Sequence, residues 1–264
     1  MIEYAEPIAL LCAMESEISH VRARVEECSS FALGPWSGFR GMLAGRSVVA
    51  LATGIGMVNA AAATAALIAE LHPFAVFNFG CAGAHHDEIY PGDVVIGSEV
   101  VAYGSLITLP DGTERYAGFR YDVGSQTVLT DSIRADRSLL NLASGIAETW
   151  QPEPWPYAGL RARDARIQTG VIASADCWTQ DPHRISVLHV RHRSLCEDME
   201  AAAVAQVCAI YQVPMLAIKD ISNNELHAAT GHGADGPTLA AVRHELGARS
   251  FALVEQIVAK MDGF

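Results

Sequence analysis

The sequence predicts an α/β fold, a single domain built on a mostly parallel or mixed twisted sheet flanked by helices. Three observations predict it. Short continuous apolar runs rich in β-branched residues recur along the chain, each the length of a strand buried on both faces. Alanine-rich or amphipathic stretches of helical length separate them. Half of the 264 residues are hydrophobic and only 18% are charged, enough apolar material to cover both faces of a sheet and too much for a disordered chain. No repeats interrupt the pattern, so residues 1–264 are read as one domain.

Taken in order, Ile8–Leu11 is an apolar run of strand length, and Ile18, Val21 and Val25 then recur at helical spacing. Ser47–Ala52 is a second strand, Thr53–Gly56 (TGIG) a glycine turn, and Val58–Leu71 a helix that Pro73 ends. Ala75–Phe79 runs into Gly80-Cys81-Ala82-Gly83, and Asp93–Val101 follows the Pro91-Gly92 turn as a β-branched strand. Tyr103–Val123, with Pro110-Asp111-Gly112, reads as a hairpin or long loop. Ser132–Thr149 is expected to be helical and Trp150–Ala162 to be a connection rich in proline and tryptophan. Arg166–Ile172 and Met215–Lys219 read as strands, Met199–Tyr211 as a buried helix and Pro237–Met261 as a final amphipathic helix.

Composition narrows function. Lys+Arg 18 against Asp+Glu 30 gives a formal net charge of -12, which repels nucleic-acid phosphates and anionic membrane surfaces. The six cysteines form no C-x-x-C pair or close Cys/His cluster, so no metal site is expected. MIEYAEPIALLC fits neither a secretory signal nor a membrane span, and a reduced cytoplasmic compartment is expected.

Ligands of α/β sheets bind where strands end, because backbone N–H groups and helix N-termini converge there. Four such endings carry chemistry: Ala13–Glu17, Gly80–Gly83, Ser174–Trp178 and Asp220–Asn224, with Glu197–Glu200 as an acidic helix start. Taken singly, each has a structural explanation. Acidic residues at helix starts complement the macrodipole, G-x-x-G needs only a tight turn, a lone tryptophan beside a strand is usually core, and His85, His86, His227 and His232 are read as solvent-facing without a role.

The ordered set AMESE, TGIG, NFGCAG, PGDVV, SADCW, EDMEAAAVAQVC and ISNN is more specific. It resembles the methylthioadenosine/S-adenosylhomocysteine nucleosidase branch of the purine nucleoside phosphorylase superfamily, most strongly at AMESE and at Met199–Ala201. The resemblance implies a three-layer nucleoside phosphorylase-like sandwich, no cofactor, a small nucleoside as partner, and a homodimer or higher homo-oligomer. It implies that Glu200 holds the ribose 2′ and 3′ hydroxyls, since a carboxylate accepts two hydrogen bonds from a vicinal diol. It further implies that Met199 packs on the sugar, Glu17 orients or deprotonates the attacking water, and Trp178 stacks on the base. Cys81 stands where serine is common; Ala82, Gly83 and Asp198 complete the implied substrate site.

Related phosphorylases place arginines after the first strand and before the glycine turn, where this chain has Met14–Glu17 and Asn78. Glu17 would repel a phosphate dianion, so hydrolysis is the expected reaction. Asn223 occupies the position of the aspartic acid that protonates purine nitrogen-7 in adenine-specific relatives. An amide cannot supply that proton, but its carbonyl accepts from a protonated nitrogen-7 and its NH₂ donates to a 6-oxo group. A 6-oxopurine nucleoside of futalosine-like type is therefore the expected substrate. Two alternatives stand beside it: a phosphorylase using Arg46 or an arginine from a neighbouring subunit, and a non-catalytic nucleoside-binding or storage protein on the same fold.

Overall fold

The computed structural model describes residues 6–156, 164–227 and 242–261. Its centre is a ten-stranded sheet. β1 (Ile8–Cys12) pairs in parallel with β4 (Arg46–Ala52) and β5 (Ala75–Ala84). β2 (Glu26–Leu33) and β3 (Trp36–Leu43) extend it antiparallel beyond β4. On the other side β5 pairs in parallel with β14 (Met215–Asn223), which runs antiparallel to β6 (Val94–Ala102). β6 pairs with β12 (Ile167–Ser174) and β12 with β13 (Ser194–Asp198), both in parallel. β13 then returns to β5 through Cys196↔Ala84 and Glu197↔Gly83. This half of the sheet therefore curls into a closed five-strand ring, β5-β14-β6-β12-β13, a closure that the apolar runs do not reveal.

Alternation along the strands explains the layers. Leu10, Phe77, Phe79 and Ile218 face one buried cluster with Ile18 and Val21 of α1 (Glu15–Arg22), Leu139 and Ile146 of α3 (Arg137–Ala147), and Phe251 and Val254 of α6 (Ala248–Ala259). Ala9, Leu11, Val76 and Ala217 face the opposite cluster with Ala60 and Leu67 of α2 (Met57–Leu71) and Ala201 and Val204 of α5 (Ala201–Tyr211). Burial on both faces is why these strands read as unbroken apolar runs.

Several elements depart from the expectations. β2 and β3 form an edge hairpin whose first strand is mostly exposed, so it carries no apolar run. Tyr103–Val123 contributes to two small hairpins, β7 (Leu106–Thr108) with β8 (Glu114–Tyr116), and β9 (Phe119–Val123) with β10 (Gln126–Thr130). The helix expected over 132–149 begins only at Arg137, where Asp136 caps the Ser138 and Leu139 N–H groups; the two-residue strand β11 (Ile133–Arg134) precedes it. α4 (Pro182–His192) was not expected. The final helix begins after Gly247, whose φ of 78° is left-handed. Residues 157–162 of the expected connection and 237–241 of the expected helix lie outside the described residues.

Candidate active site

The strand ends named from the sequence meet around one cavity of about 160 Å³. Its walls include Ala13, Met14 and Glu17 after β1, Ile55 after β4, Cys81, Ala82 and Gly83 on β5, and Cys177 and Trp178 after β12. Glu197, Asp198, Met199 and Glu200 at the end of β13, and Ser222 and Asn223 at the end of β14, complete it. All nine residues singled out in the sequence line this cavity: Glu17, Cys81, Ala82, Gly83, Trp178, Asp198, Met199, Glu200 and Asn223. Gly83 lies between Glu197 and Asn223, paired to one across β13 and to the other across β14.

Glu17 serves helix and cavity together. It is 2% exposed; Oε2 accepts the N–H groups of Ala13 at 3.0 Å and Met14 at 2.9 Å, and Oε1 accepts that of Cys81 at 2.9 Å. The Met14 bond is half of a capping box, so the structural and chemical readings of this acid coincide. Three N–H dipoles fix the carboxylate in place. Gly80 makes the approach possible: its φ is +144°, and a Cβ there would stand 2.6 Å from Glu17 Oε1.

The second carboxylate group sits where β13 turns into α5. Glu197 and Asp198 end a strand here, a correction to the helix start expected at Glu197, and Glu200 is the residue before α5. Asp198 accepts the Ala201 N–H at 3.0 Å and pairs with Lys219 Nζ at 2.8 Å. Glu200 Oε1 accepts the Gly56 N–H at 2.8 Å, while Asp176 Oδ1 accepts the Met57 N–H at 2.7 Å, so two acids from distant segments cap the start of α2. Burial, reinforced by Asp198 and opposed by Lys219, pushes the Glu200 carboxyl up to about 7. Burial alone would depress the Lys219 ammonium, yet Asp198 and Glu200 hold it above its ordinary value. Lys219 is 2% exposed in the middle of β14. A lysine closing the apolar run Met215–Lys219 was the available signal for it, because a charge on a two-sided buried strand requires a partner.

Asn223 is oriented by its neighbours. Its Oδ1 accepts from Ser222 Oγ at 2.8 Å and its Nδ2 donates to Glu225 Oε1 at 3.0 Å. A carboxylate accepts only, so Glu225 fixes which end of the amide is NH₂. The second Asn of ISNN, Asn224, ties the loop to the carbonyls of His86 and Ile89. Asp220 lies on the opposite face of β14 from Lys219, where it accepts the Gly247 N–H and the Ser250 hydroxyl. Cys81 stays a neutral thiol, because burial and then the charges of Glu17 and Asp220 push it well above its ordinary value. Trp178 is 42% exposed at the cavity, not core. His85 is also unlike the solvent-facing residue expected: it lies on β5, 1% exposed, with Nε2 3.2 Å from Glu197 Oε2. Among the described residues, His227 packs its ring on Tyr90; His232 lies outside them.

The charge pattern is one-sided. Four carboxylates, Glu17, Glu197, Asp198 and Glu200, line the cavity, and among the described residues no arginine or lysine does. Lys219 behind it is committed to Asp198. Arg46 opens β4 and so sits at the end of that strand remote from Thr53 and the cavity.

Comparison with known proteins shows the family. The family model described as the Phosphorylase superfamily matches residues 7–259. The 5′-methylthioadenosine/S-adenosylhomocysteine nucleosidase of Bacillus cereus (strain G9842) is 32% identical over 217 residues, 82% of this chain and 85% of that protein. The crystal structure of the Neisseria meningitidis enzyme of the same name, in complex with methylthio-immucillin-A, superposes with a TM-score of 0.74 at 28% identity, covering 97% of this chain and 100% of that one. Futalosine hydrolase of Helicobacter pylori strain 26695 shares the fold, with a TM-score of 0.76 at 19% identity over 97% of this chain and 98% of that one. The chain belongs to the phosphorylase superfamily, as a member similar to its methylthioadenosine/S-adenosylhomocysteine nucleosidases.

Proposed function

We propose that this chain, acting as a single domain, hydrolyses the N-glycosidic bond of a purine nucleoside with water activated by Glu17, and that its base is a 6-oxopurine. The supporting observation is a cavity lined by both the fixed Glu17 carboxylate and Glu200, with no arginine or lysine in its wall among the described residues. Such a wall repels a phosphate dianion but accepts hydrogen bonds from water and from sugar hydroxyls.

In this reading Glu200 accepts the 2′ and 3′ hydroxyls, and its charge stabilises the oxocarbenium-like ribosyl group as the bond to nitrogen-9 lengthens. Met199 packs on the sugar. Water attacks C1′ and passes a proton to Glu17, and the base departs protonated at nitrogen-7 by solvent. The Asn223 carbonyl accepts from that N–H. Its second amide hydrogen, the one Glu225 does not take, donates to oxygen-6. Trp178 stacks on the base.

A cytoplasmic homodimer is part of the proposal. Ile55, Val58 and Leu129 are exposed apolar residues, and Ile55 lines the site itself. Leu129 lines a neighbouring cavity of about 920 Å³ that shares Cys177 with the site. Covering such surface is the ordinary reason for a C2 contact. All six cysteines are free thiols, as a reduced compartment keeps them.

The test is base release from 5′-modified inosines and adenosines with and without phosphate. Free sugar at a phosphate-independent rate is expected. Sugar 1-phosphate as product would overturn the hydrolase reading, and tight binding without turnover would replace it with the storage reading.

A further inference from the structure

Glu197 was not assigned a role in the reaction above, yet it is 5% exposed and both of its oxygens are engaged by polar groups. Its Oε1 accepts the Thr179 N–H at 2.7 Å. Its Oε2 accepts the Thr179 hydroxyl at 2.9 Å and the Tyr103 hydroxyl at 2.9 Å, and lies 3.2 Å from His85 Nε2. His85 is held in turn through Nδ1, 2.7 Å from Ser194 Oγ. The Tyr103 oxygen also stands 3.2 Å from the Cys177 carbonyl. Both neighbours of Trp178 therefore meet one buried pair: the Cys177 carbonyl shares the Tyr103 hydroxyl with Glu197, and Thr179 donates its N–H and hydroxyl to Glu197. Trp178 is 42% exposed and is the aromatic residue among the described residues that line the cavity, so the backbone that holds its flanks helps to set where its ring lies.

We infer that Glu197, together with Tyr103, is a positioning residue that holds Trp178 over the base subsite; the inference rests on the nucleosidase reading and on Trp178 as the stacking residue. The buried carboxylate accepts from two segments distant in the chain, the 177–179 loop and the Tyr103 hydroxyl at the end of β6, and lies against His85 of β5; an amide offers fewer acceptor sites for the same donors. Loss of these contacts leaves the catalytic carboxylates in place, because Glu17 and Glu200 are held by other segments. It loosens the backbone that carries the stacking ring. Stacking contributes alike to the bound nucleoside and the transition state, so its loss raises KM and leaves kcat nearly unchanged.

The experiment is a double-mutant cycle in the full chain, read as KM and kcat with whichever of inosine and 5′-methylthioadenosine is turned over faster. Trp178→Ala is expected to raise KM about 5- to 150-fold, the range of one lost base–aromatic stack. Glu197→Gln and, as the milder variant, Tyr103→Phe are expected to raise KM about 3- to 10-fold with kcat within about twofold. On the Trp178→Ala background both are expected to add nothing further, because they act through the ring. An equal KM increase on that background overturns the inference, as does a fall in kcat with unchanged KM. Unchanged KM in Glu197→Gln and Tyr103→Phe while Trp178→Ala raises it also overturns the inference and spares the stacking reading. Unchanged KM in Trp178→Ala instead overturns the stacking reading itself.

Discussion

At the scale of single residues the two central acids differ in how the protein holds them, and this separates their expected phenotypes. Glu17 is locked by three main-chain N–H groups, two of which cap its own helix. Glu17→Ala is expected to lower kcat by about 10²- to 10⁴-fold with little change in KM, since water activation acts in the transition state. A requirement for added phosphate in the wild type would contradict that assignment. Glu200 has its carboxyl pushed up to about 7 by burial and the Asp198 charge. Only the ionised form accepts both hydroxyls, so kcat/KM is expected to rise with pH through about 7, and Glu200→Gln to be severely impaired without that limb. Asn223 decides the base. With its NH₂ anchored by Glu225, an adenine amino group would meet a donor, a mismatch of about 1–3 kcal/mol or roughly 5- to 150-fold in specificity. Asn223→Asp is expected to shift kcat/KM from inosine-type toward adenosine-type substrates; an adenosine preference in the wild type would show that the amide does not read oxygen-6.

At the scale of elements, the join between β13, α5 and β14 is where charge replaces apolar packing. Asp198 ends one strand, caps α5 and meets Lys219 from the middle of another, all behind the cavity wall. Lys219→Met leaves a buried carboxylate without its cation and is expected to cost about 3–5 kcal/mol, or on the order of 10 °C in Tm, recovered in part by adding Asp198→Asn. Because Lys219 lowers the Glu200 pKa, the same variant is expected to move the acid limb of kcat/KM upward. A Tm within a degree of wild type would show the pair to be dispensable. These same elements show what a sequence can and cannot disclose. β1, β4, β5 and β14 were legible because burial on both faces leaves an unbroken apolar signature. β13 was not, because its acids Glu197 and Asp198 face the site and imitate a helix start. The mostly exposed β2 is stitched to the sheet by its main chain, which composition does not record. Positions lining the cavity were legible from ordered motifs, whereas the partnerships of Glu197 with His85 and of Asp198 with Lys219 join segments far apart in the chain and depend on the closed ring.

At the scale of the whole molecule, the concentration of buried acid makes stability depend on pH in an uncommon direction. Burial pushes Asp220 up to about 7, beneath α6, and Glu200 likewise to about 7. Both values lie above those of ordinary exposed carboxylates, so between about pH 4 and pH 7 the folded chain binds these protons more tightly than the unfolded chain does. Stability from these two groups is therefore present at the low end of that interval and lost as pH rises through it. Half-buried His20 and His192 act in the opposite sense, since partial burial lowers both and folding then releases their protons below about pH 6.5. The carboxylates are expected to prevail, because Asp220 is almost wholly enclosed and because rising pH also builds the formal net charge toward -12, adding repulsion to the compact state. The expected outcome is a Tm that falls from pH 5 to pH 8 at constant ionic strength. Asp220→Asn, which keeps an oxygen to accept the Gly247 N–H, is expected to flatten the curve and raise Tm at pH 8. A wild-type Tm that climbs over this interval would mean that the histidines outweigh the acids, and an unchanged slope in Asp220→Asn would show that Asp220 is ionised in the folded chain throughout it.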